Sequence, residues 1–115
     1  MTPEGITPKV TIPSPSLIIN RDHRSDLYAD YYDSWTDFLD DLAKAYHDTI
    51  QHFYDLGARY VQLDDTTWGY LIQQFENEKN NPEKTAELAK IAEDDVYTIN
   101  KALEGLPEDL TLATH

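Results

Sequence analysis

The sequence holds 115 residues, 40% hydrophobic and 11% aromatic, which supports one packed domain over 1–115 and excludes wholesale disorder. Nine basic residues against 22 acidic ones give a net charge of −13, a surface that repels phosphate backbones and anionic lipid and argues against nucleic-acid and membrane partners. There is no cysteine, hence no disulfide framework or thiolate metal site within the chain. No apolar run nears the ~20 residues of a membrane span, and the Met1–Gly5 start lacks the regions of a secretory signal, so a cytoplasmic protein is expected.

Residues 1–8 contain two prolines and a glycine and read as an irregular lead-in. Lys9-Val10-Thr11-Ile12 is a short β-prone run that Pro13-Ser14-Pro15 interrupts, because proline cannot donate to a strand ladder. Leu17-Ile18-Ile19 either continues that strand or packs the loop that follows. Residues 20–33 are polar, carry Tyr28, Tyr31 and Tyr32, and predict a long surface loop.

From Asp33 or Ser34, either of which suits an N-cap, the pattern turns helical. Trp35, Phe38, Leu39, Leu42, Tyr46, Ile50 and Phe53 recur at three- and four-residue steps and form one apolar stripe. Gly57 supplies the residue past the helix end. The alternating run Arg59–Asp65 predicts a second strand, and Thr66–Phe75 a short helix or structured loop. Asn81 and Pro82 mark a helix start, after which Leu88, Ala89, Ala92, Val96, Ile99 and Leu103 trace a second stripe ending at Gly105. Leu110–His115 is the third strand.

Strands that alternate with helices predict βαβ units and a parallel sheet. Pro15 to Asp65 and Asp65 to His115 are equal steps of 50 residues, as in consecutive sectors of a (β/α)₈ barrel. A whole barrel needs about 250 residues. The predicted fold is therefore α/β, either a smaller sheet or a partial (β/α)₈ TIM barrel with about three parallel strands and two long helices.

In such folds the loops at strand C-termini hold the chemistry. Tyr60, Gln62 and Asp64 share one side of their strand, with Val61, Leu63 and Asp65 on the other. Asp64 at a barrel mouth suits a substrate ammonium, since an ionised carboxylate only accepts hydrogen bonds; the blander alternative is a cap for the Thr66–Trp68 turn. His115, at the end of a neighbouring strand, shares that rim. A zinc site needs three or four ligands, and His23, His47 and His52 are poor candidates for the rest. His47 and His52 are five residues apart rather than four and belong to an outer helix. Tyr28, Tyr31, Tyr32, Trp35 and Trp68 either line a pocket for a flat ligand or pack the loops over the strand ends. No glycine-rich phosphate loop or serine nucleophile elbow is present.

Tyr32–Leu56 followed by Gly57-Ala58-Arg59-Tyr60-Val61-Gln62-Leu63-Asp64-Asp65-Thr66 resembles the catalytic domain of the cobalamin-independent methionine synthase family, especially its shorter bacterial paralogues. The family's strand of the form Q-[IL]-D-[ED] is matched by Gln62-Leu63-Asp64-Asp65. Pro13-Ser14-Pro15 and Ile99-Asn100-Lys101-Ala102-Leu103 before Leu106-Pro107 also fit, and the similarity covers residues 8–115. The resemblance implies a zinc-dependent methyltransferase that moves a methyl group from a methyl-folate to the homocysteine thiol in methionine biosynthesis. It also implies that Asp64 binds the amino group of that amino acid, with Asp65 and Ser14 close by, and that His115 is the first zinc ligand. Zinc would lower the thiol's pKa to give an attacking thiolate. The family's next ligand, a cysteine two residues beyond the histidine, has no counterpart in this sequence, and neither do its later glutamate and cysteine ligands. The expectation is a fragment of such an enzyme, inert alone, that holds no zinc stably.

Two further readings come from other classes. An open piece of barrel has unpaired strand edges and an uncovered apolar face, which predicts a self-associating, non-catalytic α/β module, a homo-oligomer through its sheet edges. The charge of −13 alone suggests an acidic interaction protein.

Overall fold

A computed structural model describes residues 3–20 and 28–115. Residues 21–27, with His23 and half of the expected 20–33 loop, lie outside the described residues. The order of elements is β1 (Lys9–Pro13), α1 (Pro15–Ile19), α2 (Trp35–Asp55), β2 (Tyr60–Asp64), α3 (Thr67–Asn77), α4 (Pro82–Leu103) and β3 (Thr111–Thr114). The protein is therefore mixed α/β, with three strands and four helices among the described residues.

The sheet is parallel throughout, in the order β1-β2-β3. Ile12, Leu63 and Thr114 lie abreast, so the register advances by 51 residues at each crossover. Both long helices cover one face of the sheet, where α2 packs along α4. Ile50 from α2 meets Val61 and Leu63 from β2 and Leu110 before β3, with Val10, Ile12, Ile99 and Leu112 around them. These residues supply the apolar burial that drives folding. The other face carries Lys9, Thr11, Tyr60 and Gln62, and the Lys9 ammonium lies 5.3 Å from the centre of the Tyr60 ring. That bare face is thus polar, where an apolar one was expected.

Local chemistry explains the element ends. The Ser34 side chain caps α2 by accepting from the Asp37 N–H, and the Asn81 side chain caps α4 by accepting from Lys84 N–H. Gly57 takes φ +112° after α2, a left-handed conformation that favours glycine. Leu17-Ile18-Ile19 does not continue the strand: it lies in α1, which Ser14 caps and Pro15 opens, and Ile18 and Ile19 meet Tyr28, Tyr31 and Tyr32 of the segment that follows. In α4 the expected stripe holds at Leu88, Ala89, Ala92, Ile99 and Leu103, which are buried or half-buried, and departs at one position. Val96 is 44% exposed, whereas Asp95 is fully buried, so a carboxyl group takes the place of an apolar side chain.

The N-terminal end of the sheet is clipped by a polar cluster. Arg59 donates to the Tyr54 and Ala58 carbonyls, its guanidinium stacks 3.9 Å over the Tyr54 ring, and Tyr54 Oη donates to Asp109 at 2.6 Å. Between the helices, Lys101 and Tyr97 hydrogen-bond Asp40 and hold its carboxyl below the usual range.

Among the described residues no helix is long and apolar enough to cross a membrane. Replacing Ile50 by Ala opens a cavity at the centre of the core and should cost about 2–4 kcal/mol, read as a lower urea midpoint with unchanged slope. Val96→Ala, on the exposed side of α4, should shift stability by less than about 0.5 kcal/mol.

Candidate functional site

Backbone hydrogen bonds carry the sheet one residue past its strands and gather the candidate residues at a common rim. The Ser14 N–H donates to the Asp64 carbonyl at 2.8 Å, the His115 N–H to Leu63 at 3.0 Å, and the Asp65 N–H to the His115 carbonyl at 3.1 Å. Ser14, Asp64, Asp65 and His115 therefore sit together at the C-terminal end of the strands.

Their side chains have different surroundings. Asp65 is 4% exposed, and its carboxylate accepts from Ser16 Oγ at 2.7 Å, Ser14 Oγ at 3.1 Å and the Thr67 N–H at 3.2 Å. Ser14 and Ser16 are fully buried, and Thr67 Oγ1 adds a bond to Ser16 Oγ. A buried carboxylate is costly unless hydrogen bonds satisfy it, and this one is met from both β1–α1 and the start of α3. Asp65, rather than Asp64, caps the turn into α3. Ser14 and Asp65 are committed to each other, which makes them positioning residues for the rim.

Asp64 is half-buried and accepts from Gln62 Nε2 at 2.7 Å. Its other carboxylate oxygen has no partner among the described residues, so it is the acceptor this rim offers to a cation. His115 is exposed. His47 is held in the helix layer, with Nδ1 3.0 Å from the Ala102 carbonyl, and His52 is exposed near the end of α2. Among the described residues no group of three or more His, Asp or Glu side chains converges as a metal centre requires.

A second buried carboxyl group lies behind the rim. Asp95 of α4 is fully buried, and both its oxygens lie 3.0 Å from Asn20 Nδ2 at the end of α1. Burial pushes its pKa up to about 7; the Asn20 bond opposes this, while the charges of Asp65 and Asp94 add to it. Asp94 is satisfied differently, by Trp35 Nε1 at 2.9 Å and the Lys90 ammonium. Composition and motif matching passed over Ser16, Asn20, Thr67 and Asp95. The available signal was the 88, 92, 95, 99, 102 spacing, which sets Asp95 on the buried side of its helix.

Four of the five aromatics named from the sequence gather as expected. Tyr28, Tyr31, Tyr32 and Trp35, with Ile18, Ile19 and Phe38, line a cavity of about 220 Å³ between α1 and the start of α2. The Tyr28–Trp35 and Tyr32–Phe38 pairs meet edge to face at 5.2 and 5.6 Å. Trp68 lies apart, beside Ala92, Val96 and Tyr97 of α4.

Asp65→Ala leaves two buried hydroxyls and a backbone N–H without their acceptor and should cost about 3 kcal/mol, whereas Asp64→Ala should cost less than about 0.5 kcal/mol. Paired urea titrations of the two variants check this; equal losses would contradict the assignment of Asp65 as the structural carboxylate.

No family model matches the sequence, and no solved structure matches it. Two Bacillus subtilis (strain 168) relatives do, the uncharacterized proteins YxjG and YxjH. They are 39% and 36% identical in alignments that cover 95% of this chain. The chain spans 28% of the length of each.

Proposed function

We propose that the chain is a sector of a (β/α)₈ barrel methyltransferase resembling cobalamin-independent methionine synthase. In this reading it supplies the amino-acid-binding carboxylate of the site and is inactive alone. The observation that carries the reading is the rim itself: Asp64, from the Gln62-Leu63-Asp64-Asp65 strand, stands beside Ser14 and His115 at the C-terminal end of parallel strands. The equal crossovers and the length relation to YxjG and YxjH are consistent with it.

The division of labour follows from burial. Asp64 presents an acceptor to the ammonium group of a homocysteine-like thiol, a charge-assisted contact stronger than a neutral one. Ser14, Ser16 and Asp65 hold the strand ends so that Asp64 and His115 keep their spacing. The family's zinc would need ligands from outside this sequence in addition to His115, and the methyl-folate donor would bind a completed barrel.

The isolated chain also has two sheet edges, the outer sides of β1 and β3, with no strand partner among the described residues. Unpaired edges template further pairing, so we infer that the chain alone forms homo-oligomers through them.

A hybrid in which this chain replaces the matching stretch of YxjG should transfer a methyl group from a methyl-folate to homocysteine. Asp64→Asn in that hybrid should raise the KM for the thiol at least about tenfold, the order of one lost charged hydrogen bond. The chain alone, given zinc and both substrates, should yield no methionine. A folded hybrid without methyl transfer, or activity of the isolated chain, would overturn the proposal.

A further inference from the structure

We propose that the aromatic cavity between α1 and the start of α2 is a binding site for a methylated onium group, of the trimethylammonium or methylsulfonium class. This role does not rest on the methyltransferase reading, and its side chains are not those of the Asp64 rim.

Local structure builds the cavity. The Tyr31 and Tyr32 N–H groups both donate to the Tyr28 carbonyl, at 3.0 and 2.8 Å, and this tight turn gathers three phenol rings just before the Ser34 cap. Trp35 and Phe38 follow at the start of α2, three residues apart, so their rings lie on one side of the helix. Ile18 and Ile19 of α1 complete a lining of aromatic and aliphatic side chains. Tyr31 is 84% exposed and marks the mouth. The enclosed space is about 220 Å³, smaller than the roughly 300 Å³ at which pockets for drug-sized molecules begin. It suits a compact head group.

Charge selects the class. The face of an aromatic ring is negative and attracts a cation. Two of these rings are also enriched in electrons from their polar ends. Tyr32 Oη donates to the Asp41 carboxylate at 2.6 Å, and Trp35 Nε1 to the Asp94 carboxylate at 2.9 Å. The Lys90 ammonium meets the other Asp94 oxygen, and the chain as a whole carries a charge of −13, which draws cations towards it.

Hydrogen bonding narrows the choice further. A primary ammonium brings three N–H donors, which walls of this kind leave short of acceptors. A methylated onium has no N–H to satisfy, and its methyl groups bury against the rings without loss. A neutral group of the same shape gains the burial and forgoes the attraction.

Heteronuclear NMR of the full chain tests this with choline as the probe, because one indole lies in the cavity and the other, Trp68, lies apart from it. Choline should shift the Trp35 indole N–H signal saturably and leave that of Trp68 in place. Ethanolamine, and the neutral isostere of choline in which tert-butyl replaces trimethylammonium, should each bind at least about tenfold more weakly. Tyr31→Leu, at the exposed mouth, should weaken choline binding by about threefold, and Tyr31→Phe, which keeps the ring, should restore it. The comparison of choline with its isostere needs no variant. Absence of a saturable Trp35 shift, equal affinity for the neutral isostere, or Tyr31→Leu binding choline as the wild type does overturns the proposal.

Discussion

The arrangement of the strand ends depends on one buried carboxylate. Asp65 sits where β2 gives way to α3, and it receives hydroxyls from the two serines that flank Pro15. That is a join between segments some fifty residues apart in sequence, made where the backbone leaves the sheet and the ladder no longer holds the chain. Without it, α1 would be a five-residue helix whose remaining side-chain tie is the Asn20 bond to Asp95, far below the length at which a helix is stable by itself. With it, β1, α1 and the α3 turn act as one body, and Asp64 is presented from a fixed platform.

This explains the contrast between adjacent carboxylates. Alternation along β2 sends Val61 and Leu63 to the helices and Gln62 and Asp64 to the bare face. Asp65 follows the buried side and is retained there only because donors surround it. Asp64 keeps solvent access and an unused oxygen. At the other end of the sheet the Arg59, Tyr54 and Asp109 cluster spends its groups on one another. One end of the sheet is closed by mutual satisfaction, and the other offers an acceptor.

Much of the fold was legible in the sequence. The caps at Ser34 and Asn81, the glycine past α2 and the period of the α2 stripe mark element ends by local chemistry, and local chemistry survives tertiary context. The alternation at 59–65 gave the faces of β2. The helix α1 was not foreseen because a three-residue apolar run has no period long enough to separate strand from helix, and Pro13-Ser14-Pro15 was read as the interruption of a strand and not as a helix cap. On α4 one position, Val96, was misassigned for a related reason. Val96 is apolar and Asp95 carries a carboxyl, so hydrophobicity alone assigns that turn to Val96, whereas the amide of Asn20 from α1 meets Asp95 on the buried side. The site was legible to the extent that it lies on strand ends. Its supporting hydroxyls were not, because Ser14, Ser16 and Thr67 meet through tertiary packing.

The polar character of the bare sheet face changes how the molecule meets its own copies. With Lys9, Thr11, Tyr60 and Gln62 already suited to water, the bare sheet face itself offers copies no large greasy surface, and the sheet's adhesive parts are its two backbone margins. Those margins belong to a body with a net charge of −13, so approach is opposed at long range by mutual repulsion that dissolved ions screen within about 10 Å at 0.1 M. For the edge pairing proposed above, ionic strength then becomes a dial that sets how closely such molecules crowd.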